Sequence, residues 1–262
     1  MSAPGSAPTV ESIAAAWPRE LTGLALIAVN EVDSTQRLAR SLLERHLAED
    51  ETLPSCCVLA LAQTRGRGRR GRPWVSVPGL GVWATVVASV DSAELGSLPL
   101  RSAAALAAAL ADTVPVRVKW PNDLVVDGRK LGGLLIETIL REPPRGWAMV
   151  GFGVNAEHGE DELPTPQATS LRALGVAPDR RRLERLAPGL AGAIWRELQG
   201  ESVDWLDDYR ARSAHRPGDR IECDLEGERI AGELVDFDDH GALRLRTAGG
   251  ERAVGAGDVF AW

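Results

Sequence analysis

Lysine is almost absent from this chain. Its 262 residues contain two, Lys119 and Lys130, and arginine serves elsewhere. Asparagine is nearly as scarce, at Asn30, Asn122 and Asn155. Codon bias explains a scarce residue type, but not why both lysines and one asparagine fall between positions 119 and 130. A compact ammonium and a planar guanidinium are not interchangeable around a small charged centre, so Lys119 and Lys130 are read as doing something arginine cannot. The three cysteines, Cys56, Cys57 and Cys223, are odd in number and two are adjacent, which argues against a disulfide framework. No Cys/His spacing resembles a zinc site. No apolar run reaches membrane-spanning length, and the first 20 residues lack the basic start and apolar core of a secretory signal. These absences predict a soluble cytoplasmic protein without a membrane partner. A net charge of −7 weighs against a general nucleic-acid binder.

Against that acidic background stands one basic island, Gln63-Thr64-Arg65-Gly66-Arg67-Gly68-Arg69-Arg70-Gly71-Arg72-Pro73-Trp74. Its arginines repel one another and its glycines add backbone entropy that folding must overcome. Such a loop is expected to be mobile alone and to order around a phosphate or carboxylate. Gly66-x-Gly68-x-x-Gly71 matches the dinucleotide fingerprint literally, but that motif needs a helix directly afterwards. Pro73, Pro78 and a strand-like run follow instead, so the motif is rejected. A disordered nucleic-acid tail is disfavoured because the run is internal and follows an apolar strand.

Residues 1–20 read as a flexible N-terminal arm with one weak turn around Ile13–Trp17. Leu24–Val29 is a strand. Asp33 and Gln36 form a capping-box pattern, with Ser34 as an alternative cap, before a helix carrying Leu38, Leu42, Leu43 and Leu47. Strands are expected at Cys56–Ala62, Gly81–Val90, Val116–Trp120 and Trp147–Val154, with a helix at Arg101–Ala111. Leu124–Val126 and Leu131–Ile139 form a hairpin through Asp127-Gly128. Helical spacing over Arg180–Gln199 is interrupted by Pro188-Gly189, predicting a kink or two helices. A short helix follows at Val203–Arg212. Residues 21–214 make one domain. Residues 215–262 make a second, a small β-barrel with strands at Arg220–Leu225, Arg229–Asp236, Ala242–Thr247 and Glu251–Val254.

Four segments hold polar groups that packing does not require: Asp33 to Gln36, Gln63 to Trp74, Lys119-Trp120-Pro121-Asn122-Asp123 with Lys130 to Gly133, and Gly151 to Asn155. In this order they resemble the biotin–protein ligases, whose motifs Gly-Arg-Gly-Arg-Arg-Gly-Arg-x-Trp and Lys-Trp-Pro-Asn-Asp recur here. The likeness spans about residues 24–262. It implies an α+β fold: a mixed β-sheet packed by helices, like a class II synthetase, followed by an SH3-like barrel. It also implies a two-step reaction. Biotin and ATP, with Mg²⁺, give biotinyl-5′-AMP, and the biotinyl group then passes to a lysine of a biotin carboxyl carrier domain. By the same resemblance Ser34, Thr35, Gln36, Gln63, Arg67, Gly68, Arg69, Lys130 and Gly133 bind biotin, with Lys130 and Arg67 catalytic. Arg69, Trp74, Lys119, Asn122 and Asn155 serve ATP, and Asp123 assists Mg²⁺. The family usually has Asn where this chain has Gln36. Only about 20 residues precede the first strand, too few for the DNA-binding domain of regulatory members, so no DNA partner is expected. A monomer or weak homodimer is expected.

The chemistry agrees. Carboxylate and triphosphate repel until cations sit between them, and two unit charges at about 4 Å interact by about 4 kcal/mol at an effective dielectric near 20. The rival readings are an RNA- or DNA-binding regulator and a lipoate-type ligase on the same fold.

Overall fold

The structure, a computed structural model, describes residues 8–261 except 50, 52, 142–143, 180, 201–203 and 226. Seven strands form a mixed sheet: β1 (Ala25–Val32), β2 (Cys56–Gln63), β3 (Gly81–Asp91), β4 (Arg117–Lys119), β5 (Asp123–Val126), β6 (Arg129–Leu140) and β7 (Arg145–Asn155). Their order is β1-β2-β3-β7-β6-β5-β4. Only β1 and β2 run parallel; every other neighbour is antiparallel. The expected two-residue turn joins β5 to β6, with Asp127 and Gly128 both at positive φ, as that hairpin type demands.

The two faces of the sheet are covered differently. Helix α2 (Thr35–Ala48) lies on one, packing Ala39 and Leu43 against Val58, Val87 and Met149. The larger core lies on the other, under α3 (Leu98–Leu110), α4 (Arg182–Leu198) and α5 (Trp205–Arg212). Side chains alternate along a strand, so the row of β7 that faces α2 reads Met149, Gly151, Gly153, Asn155. Beyond the start of α2 this row loses its side chains, and the face opens into a cavity.

Several expectations need correction. The loose arm holds a helix, α1 (Val10–Ala15), capped by Thr9, with Ile13 buried in the main core; residues 1–7 lie outside the described residues. Helix α4 is one helix and runs through Pro188. Burial of Leu183, Leu190, Ile194 and Leu198 outweighs the roughly 3 kcal/mol that an internal proline costs. Position 180 at its expected start, and position 203 at the expected start of α5, lie outside the described residues. The C-terminal module has five strands rather than four: β8 (Arg220–Leu225), β9 (Glu228–Phe237), β10 (Leu243–Thr247), β11 (Gly250–Val254) and β12 (Asp258–Ala261), in the antiparallel order β11-β10-β9-β8-β12. It shares the main core through Ile221, Leu234 and Val259. Among the described residues, no helix is long and apolar enough to cross a membrane.

Candidate active site

The capping box does not form. Asp33 accepts from the Ser34 amide at 2.6 Å and pairs with Arg37 at 2.8 Å, and Ser34 caps nothing with its hydroxyl. The start of α2 is instead closed from a neighbouring strand: Gln63 Oε1 accepts from the Thr35 amide at 2.9 Å and from Thr35 Oγ1 at 3.2 Å. Gln63 Nε2 donates to Ser76 at 2.9 Å. Thr85 Oγ1, from β3, lies 3.0 Å from Thr35 Oγ1 and 3.2 Å from Gln36 Oε1. Gln36 Nε2 donates to the Met149 carbonyl at 3.1 Å, so this amide anchors α2 to the sheet. A β-carbon on Gly151 would fall on its oxygen. The result is a buried row of hydroxyls and amides at one end of a cavity of about 470 Å³.

Lys130, on β6, stands in the middle. Its ammonium is 2.7 Å from Asp123 Oδ1 and 5.4 Å from the centre of the Trp74 ring. Asp123 and Gly133 are register partners, and a β-carbon on Gly133 would come within 3.2 Å of both the Asp123 carboxylate and the Lys130 chain. Trp74 lies flat on Gly153, where a β-carbon would sit 2.6 Å from the ring. One wall is the segment 164–169, held along Lys130 by Lys130 N–H to Gln167 O and Thr169 N–H to Lys130 O.

The arginine loop forms the rim. Bridges Gln63–Ser76 and Arg67–Pro73 close it into a narrow hairpin with its tip at Arg70 and Gly71, both at positive φ. No helix follows, in keeping with the rejected fingerprint. The loop is not without partners, as its composition suggested. Arg67 lies 3.8 Å from Glu137, which also holds Arg40. Arg69 donates to Asn122 Oδ1 at 3.0 Å and to the Gly257 carbonyl at 3.1 Å. Arg70 and Arg72 meet Asp224 and Asp258 of the C-terminal module.

Thirteen of the fourteen residues singled out in the sequence line this one cavity: Ser34, Thr35, Gln36, Gln63, Arg67, Gly68, Arg69, Trp74, Asn122, Asp123, Lys130, Gly133 and Asn155. Lys119 does not. It sits opposite Asp123 on β4, half-buried, where burial lowers its pKa against the pull of Asp123. Asn155 Nδ2 donates to Thr169 O at 3.0 Å. Behind Lys119, buried His215 accepts from the Trp120 amide through Nε2 at 3.1 Å; burial, then the charge of Lys119, pushes its pKa down to about 4. Sequence reasoning missed Thr85, Gln167 and Asp258. A lone hydroxyl inside Val82–Val87 was a usable signal for the first; nothing local marked the others.

An enclosed polar row, a central ammonium and an arginine rim, all on one mixed sheet, define a site for activating a carboxylate at a phosphate. Residues 29–155 match the biotin/lipoate A/B protein ligase family, and residues 218–262 match the biotin protein ligase C-terminal domain. A biotin–acetyl-CoA-carboxylase ligase of Mycobacterium tuberculosis is 35% identical over 219 residues, covering 77% of each chain. One of Paracoccus denitrificans is 33% identical, covering 79% of this chain and 90% of its own. The biotin protein ligase of Aquifex aeolicus, solved in complex with biotin and ATP, superposes with a TM-score of 0.67 at 25% identity, covering 90% of this chain and 97% of its own. The chain belongs to the biotin protein ligase family.

Proposed function

We propose that this chain activates biotin with ATP to biotinyl-5′-AMP and transfers the biotinyl group to one lysine of a carboxylase's biotin carrier domain. The observation that carries this reading is the position of Lys130, between the buried polar row and the arginine rim. Biotin's ureido ring fits the row of Ser34, Thr35, Gln63 and Thr85, with Gln36 holding that row in place and Gly133 under the chain. Its carboxylate then lies at Lys130. One carboxylate oxygen attacks the α-phosphorus and pyrophosphate leaves; the acceptor amine then attacks the acyl carbon and AMP leaves. Lys130 neutralises the carboxylate and follows charge onto the phosphate in the transition state. Arg67 and Arg69, with Gly68 between them, clamp the phosphate and close over the mixed anhydride, which water would otherwise hydrolyse. Trp74, Asn122 and Asn155 face the nucleotide, and Lys119 acts from behind through its charge.

Among the described residues there is no group of three or more metal-ligating side chains, and the Asp123 carboxylate is occupied by Lys130. The protein side chains alone do not fit a resident Mg²⁺. The ion is read as part of the nucleotide substrate, and no step is drawn through Asp123. The chain is proposed to act in the cytoplasm as a monomer or weak homodimer, with a carrier domain and no DNA as its macromolecular partner.

Incubation with labelled biotin, MgATP and a purified carrier domain tests this. Label should reach the carrier only with all components, and lipoate should not replace biotin. Transfer of lipoate alone would keep the fold and sink the substrate assignment. A more local consequence concerns Gly153→Ala. The added carbon displaces the Trp74 ring, and KM for ATP should rise about tenfold, with 1–3 kcal/mol typical of such overpacking. An unchanged KM would separate Trp74 from the nucleotide.

A further inference from the structure

Asp258 opens β12, 186 positions from Arg72, yet it lines the same cavity as the arginine loop. Its carboxylate meets three guanidiniums. Arg69 Nη1 is 3.6 Å away, Arg70 Nη1 is 3.4 Å away, and Arg72 Nη2 donates to it directly. On the adjacent strand Asp224 adds a carboxylate contact to Arg70 at 3.2 Å and a carbonyl contact at 3.3 Å. The Gly257 carbonyl takes Arg69 on one side while Asn122 takes it on the other. The cluster is exposed at the tip and half-buried at its base: the side chains of Arg72 and Arg70 are 66% and 40% exposed, those of Arg69 and Asp258 24% and 16%. Partly desolvated pairs are screened less than exposed ones.

Three guanidiniums against two carboxylates leave this corner with a net positive charge. A loop of five arginines without counter-ions splays through self-repulsion, and its tip already holds Arg70 in a left-handed conformation that a non-glycine residue adopts at a cost. The two carboxylates offset part of that repulsion. A guanidinium has five N–H donors, so the contacts to Asn122 and Gly257 leave Arg69 donors for an incoming phosphate. Fixing those donors beforehand lowers the ordering cost of binding.

We propose that Asp258 is a positioning residue for the nucleotide half of the reaction: the C-terminal sheet, through Asp258 and Asp224, holds the arginine loop in the shape the phosphates meet. This rests on the ligase reading above. The module is thereby part of the active site's construction.

The test compares wild type with Asp258→Asn, Asp258→Glu and Arg70→Gln in the full chain. Steady-state kinetics are measured together with hydrogen exchange of the segment 66–72 without ligands. Asp258→Asn should raise KM for ATP about tenfold while KM for biotin and kcat stay within about twofold. Exchange in the loop should accelerate about tenfold in the same variant. Asp258→Glu should recover part of both effects. Arg70→Gln, whose side chain is at the tip, should move both in the same direction by less, which covers the case of a poorly folded Asp258 variant. Unchanged ATP KM together with wild-type loop exchange would overturn the proposal. So would a fall in ATP KM, which would make Asp258 a competitor of the phosphates. Exchange needs no substrate, so a wild-type chain without ligase activity fails the functional reading, whereas an unmoved loop fails this one.

Discussion

Lys130→Ala will reduce biotin-dependent exchange of pyrophosphate into ATP by about three orders of magnitude, the rate equivalent of roughly 4 kcal/mol for a unit charge at about 4 Å. The side chain enters the middle of the cavity, and Asp123 is its ion-pair partner at 2.7 Å. Removing it takes the ammonium from the place where two anions must meet and leaves the Asp123 carboxylate facing them, so repulsion is added as well as attraction lost. Lys130→Arg keeps the charge but not the shape. The larger planar group must fit beside the Trp74 ring and above Gly133, where a single carbon would already sit 3.2 Å from its neighbours. That variant should lose about ten- to a hundredfold. Full activity in Lys130→Arg would remove the significance given to this chain's two lysines.

Gln63→Leu will raise KM for biotin about thirtyfold, corresponding to about 2 kcal/mol for leaving partly buried polar groups without partners. It should leave KM for ATP nearly unchanged. One side chain here ties the first amide of α2, the Thr35 hydroxyl and Ser76 together, and leucine of similar volume fills the space without any of those bonds. Steady-state kinetics with each substrate varied in turn check the split. An equal rise in both constants would mean that Gln63 supports the whole cavity rather than its biotin end.

Both predictions draw on contacts that the sequence made visible only in part. Local signals were legible. The Asp127-Gly128 turn, the buried run at Cys56–Gln63 and the arginine loop after it all lie where pattern and turn chemistry put them. The motif residues converged on one cavity because each lies at a strand or helix end on the same side of the sheet. What stayed hidden was decided by partners distant in sequence. Asp33 and Gln36 carry a capping pattern, but Gln63, 28 positions on from Thr35, makes the bond to Thr35 that closes α2, and Gln36 is drawn to β7 instead. Pro188 reads as a helix break until the buried face of α4 is counted. Asp258 carries no local mark at all, because its meaning depends on an arginine 186 positions away. The loop's partners stayed hidden for the same reason: composition records its repulsion but not the carboxylates that relieve it.

The central claim is that the Lys130 ammonium and the arginine rim hold a carboxylate and a phosphate together. A crystal structure of the chain with biotin and a non-hydrolysable ATP analogue tests it most directly. The biotin carboxylate should lie within about 3 Å of Lys130 Nζ, and a phosphate oxygen within hydrogen-bonding reach of Arg67 or Arg69. A carboxylate bound away from Lys130, or phosphates that leave the loop's arginines on Glu137 and Asp258 alone, would contradict it.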